Sequence, residues 1–144
     1  MIKTFAEYLK EQKVIKQTPN IDLANSLIIR AKRRFEEEVK NKNITEENKE
    51  FVFEDLYESL RESAQAILAL NGYKPYSHEV IIAFLKENYD ISSDKLDLFD
   101  DCRIIRNKLT YEAKNVSMEK VKDLLKLFKD LIPYFESILK DETR

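Results

Sequence analysis

The stretch Arg103-Ile-Ile-Arg-Asn-Lys-Leu-Thr-Tyr111 sets two arginines, an asparagine and a tyrosine into a segment that otherwise reads as a helix. A guanidinium presents its N–H donors as a planar fork, which suits the bidentate grip of a phosphate or a carboxylate. Asn107 and Tyr111 can each add a further donor. On a wheel of about 100° per residue, Leu98, Cys102, Ile105 and Leu109 form an apolar stripe. Phe99, Arg103, Arg106 and Thr110 make the adjoining strip, with Arg106 nearest the core, Arg103 further out and Asn107 further round. A guanidinium bordering apolar surface needs hydrogen-bonded partners, because desolvating it alone is costly. Those partners are either an acid of the long third helix, such as Asp55, Glu58 or Glu62, or else a ligand phosphate or a second subunit.

The elements that position these residues are helical. One Gly and three Pro leave few turns for a strand-rich fold, and 43% hydrophobic with 36% charged residues excludes a disordered acidic tail. A short helix is expected between Thr4 and Lys16, carrying Phe5, Tyr8, Leu9 and Val14, until Thr18-Pro-Asn-Ile-Asp breaks it. Asp22 is expected to cap a second helix with the stripe Ala24, Leu27, Ile28, Ala31, Phe35 and Val39. Thr45 is expected to cap the third, with Asn48 standing where a full capping box would carry Glu or Gln. That helix holds Phe53, Leu56, Tyr57, Leu60, Ala64, Ile67 and Leu68 in step until Asn71-Gly72. Tyr73-Lys-Pro-Tyr is a connector, Ser77 caps a fourth helix, and Ser92 or Ser93 opens the fifth. Ser117 caps the last, whose seam runs from Val121 to Ile138 and which Pro133 is expected to kink or end. The spacing predicts an all-α, up-and-down bundle of five to six helices, one domain over 1–144 with residues 1–19 as an N-terminal helix or extension.

Net charge is −2, so the whole-molecule field does not favour nucleic acid and any such binding needs a local patch. Arg30, Lys32, Arg33 and Arg34 form one basic run, but Glu36, Glu37 and Glu38 follow at once, the pattern of a solvated helix surface. The longest apolar run, Val80 to Leu85, is too short to span a bilayer, and there is no apolar run of leader type near Met1. A soluble cytoplasmic chain without membrane contact is the expectation. Cys102 has no second Cys to pair with and reads as a small buried residue. His78, the only histidine, reads as an ordinary residue of the fourth helix's first turn, with nothing in the sequence that brings it to Arg106. Asp94, Asp97, Asp100 and Asp101 suit a helix N-terminus and carry no metal-ligand spacing. No metal and no cofactor are expected, and one Gly forbids a phosphate-cradling loop.

With Arg106-Asn107 in a late helix, Tyr111 five residues on, and a long helix ending Asn-Gly-Tyr-Lys-Pro-Tyr-Ser-His before a shorter one, the chain resembles a HEPN domain across roughly residues 20 to 140. This is the all-helical family named for nucleotide binding in higher eukaryotes and prokaryotes. Its hallmark is an Arg, often followed by Asn, then a His after four to six residues; here Tyr111 stands in the His place. The resemblance implies a four-helix core and a homodimer whose motif helices meet at the two-fold axis in a composite cleft. It further implies RNA or nucleotide binding, and pairing with a minimal nucleotidyltransferase in a toxin–antitoxin arrangement. Many members are metal-independent ribonucleases; others lack the His and serve as binding or assembly modules.

Cleavage without metal needs one group to take the 2′-hydroxyl proton, another to protonate the leaving oxygen, and cations to stabilise the phosphorane. Histidine does the proton work near neutrality, whereas a tyrosine with a pKa of about 10 is a poor base there. Arg106, Asn107 and Tyr111 thus keep the phosphate-binding half of the family's site, with Arg103 adding charge and Glu58 or Glu62 the acids expected to hold Arg106. The expectation is a binding module that is weak or inactive as a nuclease. The alternative is a ribonuclease with a composite Arg-Asn…Tyr site. In a regular helix Tyr111 lies about 140° from Arg106, so the two converge only if the helix ends near Thr110 or a second chain completes the cleft.

Overall fold

Apolar residues at 3–4 spacing give helices wherever a run is long, and the structure, a computed structural model, describes residues 2–142. Among these, six helices carry the chain: α1 Phe5–Lys10, α2 Ile21–Glu38, α3 Lys49–Leu70, α4 His78–Asn88, α5 Ser93–Glu112 and α6 Met118–Glu142. Two short strands, β1 Val14–Lys16 and β2 Tyr73–Pro75, pair antiparallel with Val14 opposite Pro75 and Lys16 opposite Tyr73. The all-α bundle read from the sequence is the fold, with this small ribbon added.

The ribbon replaces the second half of the expected first helix. Lys10 ends α1, Gln12 turns the backbone at φ 59°, and Val14 enters the core from a strand. Tyr73-Lys-Pro, read as a connector, is its partner strand. Gly72 makes the turn at φ +82°, where a Cβ would stand 2.6 Å from the Gln17 carbonyl oxygen, so only glycine fits. Gln17 N–H in turn donates to the Gly72 carbonyl at 2.8 Å.

α3 is the central element. From Ser59 to Leu70 nearly every residue is buried, which marks a helix covered on all sides. α2 runs antiparallel to it, burying Ala24, Ile28 and Ala31, while α4, α5 and α6 pack on its other faces. Buried side chains of all six helices join in one hydrophobic core. The α2 cap is Asn20, whose side chain accepts from Leu23 N–H at 2.9 Å, and not Asp22. α3 begins at Lys49 with Asn48 at its cap position, and not Thr45 as expected. Ahead of it Thr45 and Asn48 exchange side-chain-to-backbone bonds of 2.8 and 3.2 Å, asparagine taking the reciprocal role usual for Glu or Gln. Pro133 does not end α6, which continues to Glu142. The proline lies on the exposed side, where water can satisfy the carbonyl it leaves without a donor.

Candidate functional site

α5 buries Leu96, Phe99, Cys102 and Leu109, while Leu98 and Ile105 are only half-buried. The buried arc is therefore turned from the expected Leu98–Ile105 stripe toward Phe99 and Arg106. That rotation points Arg103 and Arg106 at α3 and α4 instead of along the bundle's flank. Their side chains are 18% and 25% exposed, so Arg103 is no further out than Arg106.

Arg106 Nη2 donates to Glu58 Oε1 at 3.1 Å, and its Nη1 reaches Asn107 Oδ1 at 3.4 Å. Glu58 is shared, because Arg61, one turn on along α3, donates to its Oε2 from Nε at 3.2 Å and Nη2 at 2.8 Å. The remaining Arg61 branch donates to Gln65 at 2.8 Å. Arg103 donates to Asp100 at 2.7 Å and faces Glu79 of α4 at 3.7 Å. Two arginines, one from α3 and one from α5, thus share one half-buried carboxylate, while Arg103, one turn before Arg106, is held by Asp100 and Glu79. Burial alone would raise the Glu58 carboxyl, but the Arg61 hydrogen bonds and the charges of Arg61 and Arg106 outweigh it and hold it below the usual range.

Glu62 does not join Arg106. One turn further along α3 it faces α2, almost wholly buried, between Arg30 at 2.5 Å and Arg34 at 2.6 Å. The basic run on α2 is largely spent on such pairs, since Lys32 also bonds Glu136 of α6 at 2.9 Å. Asp55, the remaining acid considered for Arg106, is pushed up by burial and by Glu38, against the pull of Arg34 on α2.

His78 is the residue that sequence reasoning missed. It sits at the start of α4, half-buried, with Nδ1 2.9 Å from the Tyr57 hydroxyl. Its imidazole feels Arg61, Glu58, Arg106 and Arg103, so it belongs to the arginine cluster. Burial first, then the arginines, push its pKa down to about 4, against the opposing pull of Glu58. Tyr57, fully buried, is pushed well above the ordinary phenol and keeps its proton. Two tautomers satisfy this bond: Tyr57 donates to Nδ1 and Nε2 carries the proton, or Nδ1–H donates and Nε2 is a free base. One signal was available, because a tyrosine placed on a buried seam needs a partner for its hydroxyl.

Tyr111 lies elsewhere. α5 stays helical through Glu112, so nothing turns Tyr111 back to Arg106 within one chain, and it is 78% exposed. With Ile104 and Lys108 it forms an exposed stripe at i, i+4, i+7, beside half-buried Asn107. Cys102 is fully buried, and burial pushes its thiol up to about 12, which removes it as a nucleophile. Among the described residues no three His, Cys, Asp or Glu side chains are grouped to hold a metal ion, and no helix is long and apolar enough to cross a membrane.

Comparison with protein-family models, with characterised proteins and with solved structures gave no match.

Proposed function

We propose that this chain is a HEPN-like homodimer that binds the phosphate of a nucleotide or RNA at the Arg61–Arg103–Arg106 cluster, and that it is weak or inactive as a nuclease. The observation that carries the reading is the convergence of Arg61 and Arg106 on Glu58, with Arg103 one turn before Arg106, all three side chains 18–25% exposed and a neutral imidazole alongside. A guanidinium has five N–H donors, and Arg106 commits only two groups to Glu58 and Asn107. An incoming phosphate can therefore bridge the arginines by displacing Glu58.

Poor catalysis follows from the same geometry. A histidine with a pKa of about 4 is protonated in roughly one molecule in a thousand at pH 7, so it cannot serve as the general acid. Tyr111 points away in its own chain. The Ile104–Lys108–Tyr111 stripe is the surface on which a second copy, or a partner of the minimal nucleotidyltransferase class, would seat. The ribonuclease reading has one observation in its favour: the Nε2 of His78 is a free base in one tautomer, on an imidazole that feels the charges of Arg61, Arg106 and Arg103.

Labelled single-stranded RNA incubated with the pure protein, with and without EDTA, separates the two. Retention of RNA without cleavage, lost in Arg106→Ala, supports the binding module. Cleavage that persists in EDTA and disappears in both Arg106→Ala and His78→Ala, each still folded, overturns it in favour of the ribonuclease.

A further inference from the structure

The β1–β2 ribbon lies next to the arginine cluster, and its two faces differ in kind. The inner face is anchored: Val14 is buried, and Tyr73 packs on Phe5 and Phe84 with ring centroids 5.0 and 5.6 Å away. Strand alternation then turns Lys13, Ile15, Lys74 and Tyr76 outward, and all four are exposed. Tyr76 N–H donates to the Lys13 carbonyl at 2.8 Å, which holds the outer pair side by side. Lys74 Nζ stands 5.4 Å from the centroid of the Tyr76 ring, and that ring remains 58% exposed. None of these four positions is acidic, and among the described residues neither Lys13 nor Lys74 has an ion-pair partner, in a chain whose net charge is −2.

Two links tie this face to the cluster. Tyr76 is two residues before His78, so their Cα atoms lie within about 7.6 Å. Gln65, bonded to Arg61, lines the hollow that also holds Tyr73, Lys74 and Pro75. An aromatic ring flanked by unpaired lysines and continuous with arginines is the arrangement that takes stacked bases and a phosphate backbone.

We propose that the outer face of the ribbon docks a single-stranded nucleic acid, with a base stacked on Tyr76 and backbone phosphates on Lys13 and Lys74, leading the next phosphate to the arginine cluster. The proposal rests on the phosphate-binding reading of that cluster and extends it to an oligonucleotide.

The test is fluorescence anisotropy with labelled single-stranded 12-mers, using the full chain and its Tyr76→Ala, Tyr76→Phe, Lys13→Ala/Lys74→Ala and Arg106→Ala variants. All the ribbon substitutions are at exposed positions, and circular dichroism checks each fold. Tyr76→Ala is expected to weaken oligonucleotide binding about fivefold or more, with Tyr76→Phe restoring it. The double lysine variant is expected to lower the slope of log K against log salt by about 1.4. A labelled mononucleotide is expected to respond to Arg106→Ala and not to the ribbon changes. If the ribbon variants bind the 12-mer like the unaltered chain while Arg106→Ala loses it, the ribbon proposal is overturned and the cluster stands. If only the ribbon variants lose binding, the ribbon stands and the cluster reading falls. Absence of oligonucleotide binding overturns the ribbon proposal, and absence of mononucleotide binding as well overturns the cluster reading. Equal, ribbon-dependent binding of poly-glutamate replaces the nucleic acid with an acidic polypeptide.

Discussion

On the proposed phosphate-binding reading, fold and function compete at Glu58, and Glu58→Gln exposes the competition. The carboxylate accepts three charge-assisted bonds, from Arg61 at 3.2 and 2.8 Å and from Arg106 at 3.1 Å. Buried bonds of this kind contribute about 1.5–3 kcal/mol each, but partial exposure lets water replace much of that. Removing the side chain in Glu58→Ala should cost about 2 kcal/mol in total. With an unfolding entropy near 2.1 cal/mol/K per residue, the 144-residue chain should melt about 7 °C lower. Glu58→Gln keeps the shape and one acceptor, and should cost about half as much.

The ligand should respond in the opposite direction. A phosphate held by Arg61 and Arg106 lies roughly 6 Å from the Glu58 charge, a repulsion of about 1 kcal/mol at an effective dielectric between surface and water. Glu58→Gln removes that repulsion and frees both arginines, so nucleotide affinity should rise about fivefold while stability falls. Thermal unfolding by circular dichroism and nucleotide anisotropy at fixed ionic strength measure the two quantities on the same sample. A variant that melts lower and binds no tighter would refute the reasoning: Glu58 would then only lock α3 to α5, and the arginines would not be a ligand site.

His78 titrates near 4 when folded against 6.5 in the unfolded chain; the unfolded state binds more protons between these values, so stability should fall as pH drops from about 6.5 toward 4. Its imidazole resonances should stay in the neutral form down to about pH 5, and an ordinary midpoint near 6.5 would contradict the burial argument. The lowered carboxyl of Glu58 acts in the same direction, its stabilisation being lost at still more acid pH. Glu62→Ala leaves Arg30 and Arg34 without their buried partner and should cost about 2–3 kcal/mol, less than a wholly buried pair because both arginines are partly exposed; denaturant unfolding measures it. Tyr111→Ala, at a site 78% exposed, should change stability by less than about 0.5 kcal/mol. If the α5 stripe is the dimer interface, sedimentation of that variant should show the monomer gaining at the dimer's expense.

The long helices were legible because each repeats its apolar period over three turns or more. The ribbon was not, because three-residue strands carry no period, and Val14 continues a helical count that the left-handed backbone at Gln12 interrupts. Arg106 and the choice of acids on α3 were legible, since a flank guanidinium demands a carboxylate. Which acid was not: Glu58 and Glu62 lie one turn apart on the same helix, only about 40° apart on a wheel. α2 approaches one and α5 the other, a matter of packing between helices that local spacing does not encode. His78 stayed hidden for the same reason, its hydrogen-bond partner Tyr57 lying 21 residues earlier.

If the α3–α5 arginines take a phosphate as proposed, the two acids also explain why the α2–α3 arginines would not. Glu62 is 1% exposed beneath Arg30 and Arg34, so a phosphate reaching those arginines would leave a carboxylate buried with no counter-charge, a cost of several kcal/mol. Glu58 is 21% exposed and can rotate into water when displaced, where it loses little solvation. Equal charge arithmetic therefore yields unequal chemistry. On the proposed reading, the α2–α3 pair fixes the seam, whereas the α3–α5 cluster exchanges its internal carboxylate for an external phosphate while His78 stays neutral beside it.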